Sequence, residues 1–194
     1  AFRRRVALIP PQTTAWRLVH AENDNLPGIR VDLYGEQAVI TLDSGSLLPL
    51  LPLLQELLAE LLPLQGIHLH WRPDSREKGE FHPPRPAGLL WGECPESVVV
   101  WERGIQMRVY PSQGKDVGIY PDMREARRFL EPGWKGARVL NLFSYTGLFS
   151  VAAAFHGADH TVSVDLSPRY LEMAAENFRL NNLSVGELLC EDSF

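Results

Sequence analysis

The sequence predicts an α/β fold over residues 112–194, preceded by a small α+β domain over residues 1–111. Three observations carry this. The run Arg138-Val-Leu-Asn-Leu-Phe-Ser-Tyr-Thr-Gly147 is apolar, turns polar and reaches a glycine. About twenty residues later, Thr161-Val-Ser-Val-Asp165 is β-branched and ends in an acid. An amphipathic run lies between the two and another follows, which is the pattern of a βαβ unit.

In the first part, Ala15–His20 is apolar enough for a strand. Glu22–Gly28 is a dense cluster of turn residues. Ile29–Leu33 and Ala38–Leu42 flank Tyr34-Gly35-Glu36 as a hairpin would. Leu50–Leu62 is the strongest helical run, apolar on nearly all sides, and is expected to be covered on both. The longer Leu-rich run Leu47–Leu64 contains Pro49, Pro52, Glu56, Glu60 and Pro63, which argue against a membrane span. Ile67–Trp71 returns as a strand, and Pro73–Pro86 reads as a loop. Ser97–Trp101 and Ile105–Tyr110 form a second hairpin across Glu102-Arg103-Gly104, and the small domain ends near Pro111.

The second part begins at Gln113–Tyr120. Asp122 is expected to cap a helix running to Leu130, which Pro132-Gly133 ends. Strand Arg138–Leu142, helix Gly147–His156, strand Thr161–Asp165 and helix Pro168–Leu180 follow. Ser167 is placed at the N-cap and Pro168 at the first helical position, where each is favoured. Asn181-Asn182 closes that helix, and Glu187–Cys190 is a third short strand.

Composition is that of an ordinary globular protein, with net charge -5 and pI near 5.7. That argues against a general nucleic-acid coat, although the Arg3-Arg4-Arg5 cluster and Arg124 with Arg127-Arg128 allow a local RNA surface. No secretory leader pattern or disulfide framework is legible, so a reducing, cytoplasmic setting without a membrane partner is expected. His68 and His70 alternate with Ile67 and Leu69 as one face of a strand. With His82 they supply ligand types for a metal, but the strand alternation accounts for them, and no metal is assigned.

A strand-to-helix turn presents backbone N–H groups and a helix dipole to an anionic ligand group. Gly147 lets backbone approach closely. Asp165, at the end of the next strand, can accept both hydroxyls of a ribose, and Glu191-Asp192 after the third strand can offer a carboxylate to an adenine amino group. The stretch 141–147 holds one glycine in place of Gly-x-Gly-x-x-Gly, so there is no cradle for a pyrophosphate. A smaller cofactor with an amino-acid tail fits better than a dinucleotide.

Asn-Leu-Phe-Ser-Tyr-Thr-Gly (141–147), Ser-Val-Asp-Leu-Ser (163–167), Glu-Asn-Phe-Arg-Leu-Asn (176–181) and Glu-Asp-Ser-Phe (191–194) together resemble the bacterial large-subunit ribosomal RNA methyltransferases. The pattern is most similar to their cytosine-C5 branch. Val-Gly-Ile-Tyr-Pro-Asp-Met-Arg (117–124) resembles a second signature of that family, and residues 18–35 resemble the start of its small central domain. The resemblance implies a partial Rossmann-like class I methyltransferase domain, S-adenosyl-L-methionine as cofactor, and 23S ribosomal RNA as partner, with the first domain presenting the RNA.

Carried onto this chain, the resemblance has Phe143, Ser144, Tyr145, Thr146 and Gly147 wrapping the methionine moiety. Asp165, with Leu166 beside it, holds the ribose and Asp192 the adenine. Tyr120, Asp122 and Arg124 lie over the cofactor, with Arg124 the candidate partner for its carboxylate. Met123, Val117 and Leu148 depart from the family's Gln, Thr and second Gly. The family's Asp-Pro-Pro motif and catalytic cysteine do not occur here, Cys190 reads as a buried strand residue, and no catalytic residue is assigned. The chain is therefore expected to be the cofactor-binding portion of a longer enzyme, inactive alone, whose unpaired sheet edge leaves a homodimer open. The related guanine-N branch fits the visible motifs about as well. A dinucleotide oxidoreductase and a noncatalytic nucleotide-binding module are the other classes kept open.

Overall fold

The computed structural model of the chain describes residues 1–71 and 88–193. The expected Pro73–Pro86 loop lies outside the described residues. The chain divides into two compact units: Ala1–Val98 with Tyr110–Val117, and Val99–Val109 with Gly118–Phe194. This differs from a single boundary at Pro111. The second hairpin goes with the later unit and the 110–117 segment with the earlier one.

The first unit opens with the short helix α1 (Phe2–Val6). It is built on a five-stranded sheet of β1 (Ala15–His20), β2 (Ile29–Tyr34), β3 (Gln37–Leu42), β4 (Gly66–Trp71) and β5 (Gly88–Gly92), in that spatial order. All neighbours pair antiparallel except β3 and β4, which are parallel and joined through α2 (Leu51–Leu61). A parallel pair requires such a crossover, whereas antiparallel neighbours do not. Strand β5 was not foreseen. It is five residues long and bounded by glycines with positive φ. At Gly92 an added Cβ would stand 2.0 Å from the Gln65 carbonyl oxygen, so the close backbone approach requires glycine.

The period-2 alternation of the strands sorts this sheet into two faces. Ile29, Val31 and Leu33, then Ala38, Ile40 and Leu42, then Ile67 and Leu69 share the buried core with Leu51 and Leu58 of α2. Each such large side chain contributes about 1.5–3 kcal/mol by leaving water. The opposite face is polar. Arg17 on β1 forks onto Asp32 of β2, its Nε and Nη2 donating at 2.8 and 3.1 Å, and Gln37, Thr41 and His68 are buried on β3 and β4.

Helix α2 is not covered on both sides. Only Leu51 and Leu58 are buried, while Leu53, Leu57 and Leu61 stay 54%, 42% and 52% exposed. The exposed leucines recur every four residues, so they form a second stripe that turns away from the sheet.

The second unit begins with a hairpin of β6 (Val98–Glu102) and β7 (Ile105–Val109). Arg103 and Gly104 both have positive φ, 51° and 90°, as a tight two-residue hairpin turn demands. A 3-10 turn (Pro121–Met123) leads into α3 (Arg124–Leu130). Asp122 lies within that turn and makes no side-chain cap, because the chain enters the helix already coiled and Met123 takes the cap position. Then come β8 (Arg138–Leu142), α4 (Leu148–Phe155), β9 (His160–Val164), α5 (Pro168–Leu180) and β10 (Glu187–Leu189). The last three strands form a parallel sheet in the order β10-β9-β8, which is the expected α/β layout. Ser167 caps α5, its Oγ accepting from the Tyr170 N–H at 3.4 Å.

The hairpin is fastened to α5 by two asparagines. Asn181 accepts from the Gln106 N–H and donates to the Gln106 carbonyl, both at 2.8 Å. Asn177 accepts from the Arg108 N–H at 2.9 Å. These amides stand where a further strand would, and satisfy the free edge of β7. Among the described residues no helix is long and apolar enough to cross a membrane.

Candidate cofactor site

The site is built on the turn that follows β8. Phe143, Tyr145 and Gly147 all have positive φ, 55°, 51° and 72°. Residues other than glycine adopt this region at a cost of about 1–3 kcal/mol each, and only where surroundings enforce it. The enforcing contacts are present. The Ser144 N–H donates to the Val164 carbonyl at 2.9 Å, and the Tyr145 N–H to Asp165 Oδ2 at 2.8 Å. The Thr146 hydroxyl donates to the Gly118 carbonyl at 2.7 Å, and the Gly118 N–H returns a 2.8 Å bond to the Tyr145 hydroxyl. Asn177 Nδ2 donates to the Thr146 carbonyl at 3.1 Å. Gly147, the N-cap of α4, packs so tightly on α5 that an added Cβ would stand 2.6 Å from Ala174 Cβ.

Asp165 links this turn to the next one. Its Oδ1 accepts from the Ser167 N–H at 2.9 Å while Oδ2 holds Tyr145. Each carboxylate oxygen keeps further acceptor capacity, so the group is oriented without being used up. Tyr145 lies between Tyr120, at 5.3 Å, and the edge-on Tyr170, at 4.5 Å between ring centroids. Phe143 and Leu166 are exposed at the rim, and Thr146 is wholly buried. Ser144 is buried and, among the described residues, its Oγ has no hydrogen-bond partner. An orphaned hydroxyl beside an oriented carboxylate at the carboxyl ends of parallel strands fits a polar ligand in this cradle.

Of the residues singled out in the sequence, the structure brings together Tyr120, Phe143–Gly147, Asp165 and Leu166. Asp122 and Asp192 are exposed. Arg124 Nε donates to Glu125 at 3.4 Å, and its buried Nη1 has no partner. It lines a recess with Glu102, Arg127, Trp134 and His156. Behind that recess Arg127 makes two short bonds to Glu102, Nε to Oε1 at 2.6 Å and Nη2 to Oε2 at 2.7 Å, with both side chains buried. Arg127 Nη2 also reaches the Tyr120 carbonyl at 3.3 Å, fixing the backbone that carries Tyr120.

Cys190 is not a buried strand residue. Strand β10 ends at Leu189, leaving Cys190 exposed with its thiol 3.5 Å from the Leu166 carbonyl. For Cys94, burial pushes the thiol pKa up, the reverse of an activated nucleophile.

Sequence reasoning missed Asn177 and the Glu102–Arg127 pair. Asn177 carried a signal, a polar residue inside the buried stripe Leu171, Ala174, Ala175, Phe178. Glu102 and Arg127 are 25 residues apart and carried none.

A parallel α/β sheet with an acid-anchored turn at its carboxyl edge defines a nucleoside-cofactor binding protein of the class I type. The model for the S-adenosylmethionine-dependent methyltransferase family matches residues 65–192, and the chain belongs to that family. A ribosomal RNA large subunit methyltransferase I from Aliivibrio fischeri is 36% identical over 184 residues, covering 93% of this chain and 46% of that protein. A ribosomal RNA large subunit methyltransferase from Deinococcus radiodurans is 34% identical over 187 residues, with the same coverage. The crystal structure of SMU.776, a candidate methyltransferase complexed with SAH, superposes with a TM-score of 0.85 at 30% identity, over 99% of this chain and 49% of that one. The chain thus spans about half the length of the relatives it matches.

Proposed function

We propose that the 143–147 turn, Asp165 and the 120–124 segment bind S-adenosyl-L-methionine, and that the protein methylates large-subunit ribosomal RNA. The observation that carries this is the Asp165 carboxylate, held by two backbone N–H groups at the carboxyl ends of β8 and β9, with acceptor capacity left for a ribose. The ligand's sulfonium supplies an electrophilic methyl group when bound. The chain's own residues orient it. Asp165 accepts from the ribose, Ser144 Oγ gains the partner it lacks, and Phe143 and Leu166 shield the site from water. Tyr120 and Tyr145 wall the methionine end, and Arg124 supplies a cation for its carboxylate. Asp192, after β10, takes the adenine amino group. The relatives named as ribosomal RNA methyltransferases support the substrate class.

The motif resemblance favours cytosine C5 of 23S ribosomal RNA as acceptor. That chemistry needs a thiolate adding at C6. Cys94, with its raised pKa, does not offer one, so Cys94→Ala leaves cofactor binding intact. The small first unit presents the RNA in this reading, and the enzyme works in the cytoplasm.

Isothermal titration with SAH and with NAD tests the assignment. SAH binds and NAD does not. Asp165→Asn keeps the side chain's shape, removes its charge and one of its acceptor oxygens, and weakens SAH by about 1.5–3 kcal/mol, the scale of hydrogen bonds to charged groups. Equal affinities of wild type and variant, or tighter NAD than SAH binding, reject the proposal.

A further inference from the structure

The polar face of the first unit's sheet holds a second candidate site. His68 is 3% exposed, and among the described residues neither ring nitrogen has a hydrogen-bond partner. It lines a cavity of about 170 Å³. Among the described residues the rest of the wall is His70, Leu69, Gly88 and the 111–114 segment, through Pro111, Ser112 and Gly114. On the neighbouring strand, Gln37 is 1% exposed and its Oε1 also lacks a partner. Its pairing with Gly66 puts it on the same face as His68. Buried polar groups are nearly always satisfied, so two orphans on one face, one of them on a cavity, point to a ligand.

The cavity chemistry narrows the ligand. Its volume exceeds several times the share of one water, about 30 Å³, and falls below the roughly 300 Å³ where drug-sized pockets begin. One planar ring is the matching size. Among the described residues no Lys or Arg stands in the wall, so none of them offers a phosphate a counter-charge. Burial lowers the His68 pKa, and a neutral imidazole offers one N–H donor and one nitrogen acceptor. A nucleobase edge presents such donors and acceptors side by side. The cavity's lining includes Pro111, two glycines, Gly88 and Gly114, and a second imidazole, that of His70. Gly114 has φ 65°, and an added Cβ would stand 2.7 Å from His70 Nε2, so the cavity keeps its room only with glycine there. Among the described residues no group of three His, Cys, Asp or Glu could hold a metal.

We propose that this cavity receives an unstacked nucleobase of the RNA substrate, read by His68 and flanked by His70. The proposal rests on the RNA-methyltransferase reading and adds a base-recognition site in the first unit.

The test uses the 194-residue chain with ¹⁵N-labelled histidine and single-stranded decamers of A, C, G or U. At least one decamer binds saturably and shifts the His68 imidazole resonances. His68→Leu weakens that decamer about tenfold, as expected for one buried hydrogen bond, and leaves SAH affinity unchanged. If a decamer binds but the His68 resonances stay put and His68→Leu binds it equally, the pocket fails and the RNA reading stands. If no decamer binds, both fall. If zinc chloride alone shifts both imidazoles while no decamer does, the cavity is a metal site and the proposal is overturned.

Discussion

Removing Glu102 from beneath Arg127 should be the most damaging single polar change in the second unit. The two side chains are 3% and 6% exposed and share two charge-assisted bonds of 2.6 and 2.7 Å. Glu102→Ala strands a guanidinium in the interior. Its remaining contacts are a 3.3 Å bond to the Tyr120 carbonyl and the Phe149 ring, 5.3 Å from Cζ to centroid. Neither replaces a carboxylate, and breaking a buried pair in this way costs about 3–5 kcal/mol. In native-state hydrogen exchange that equals about two to four decades of lost protection in β6, β7 and α3. The double variant Glu102→Leu/Arg127→Met removes both charges and keeps the volume, so it should recover most of the loss. Because Arg127 also holds the Tyr120 backbone, SAH affinity should fall in the single variant. A loss below about 1 kcal/mol, or a double variant as unstable as the single one, would refute the reasoning.

Gly147→Ala combines a left-handed φ of 72° with a Cβ 2.6 Å from Ala174. It should destabilise the chain by about 1–3 kcal/mol and weaken SAH, while Gly147→Ala/Ala174→Gly should recover the packing part, all measured by urea unfolding and titration. His68 titrates below the usual imidazole range because burial disfavours its charged form. The unfolded chain then takes up the proton first, so this stability is present above about pH 6.5 and is lost as pH falls through the lower folded value. Thermal melts from pH 7.5 to 5 should show that slope, and His68→Gln should flatten it. On α2, Leu58→Ala should cost about 2–5 kcal/mol, whereas Leu53→Gln, on the exposed stripe, should stay within about 0.5 kcal/mol. Equal costs at the two positions would show that the exposed stripe is not free.

The second unit was the more legible because its signals are local. The β-branched runs, the capping Ser167-Pro168 and the glycine after β8 each declare an element from within a few residues, and β8, β9, α4 and α5 stand within a residue or two of their expected bounds. The residues around the turn were legible for the same reason, since Phe143–Gly147 and Asp165 lie at the ends of those strands. What sequence could not give was decided by partners far along the chain. The leucines of α2 are alike in sequence, and only the sheet decides that Leu51 and Leu58 are buried while Leu53 and Leu57 are not. The 98–109 hairpin was legible as a hairpin. Its place in the second unit depends on Asn177 and Asn181, 69 to 75 residues away. Asp122 looked like a cap because Pro121 precedes it, but the 3-10 turn had already supplied the first bonds of the helix.

Asn177 shows how the unit's frame and its site depend on one another. One end of its amide accepts from the β7 backbone at Arg108, and the other donates to the Thr146 carbonyl in the positive-φ turn. A single wholly buried side chain thus ties the hairpin to the 143–147 turn. The Glu102–Arg127 pair ties the other strand of that hairpin to the Tyr120 carbonyl. The positive-φ turn is therefore braced from β7 through Asn177 as well as from Asp165, while β6 holds Tyr120, whose ring stands 5.3 Å from that of Tyr145. Asn177→Asp keeps the acceptor toward Arg108 and loses the donor toward Thr146. It should reduce SAH affinity and the protection of the 143–147 amides more than that of the hairpin. Equal loss at both places would mean that the asparagine acts only through packing.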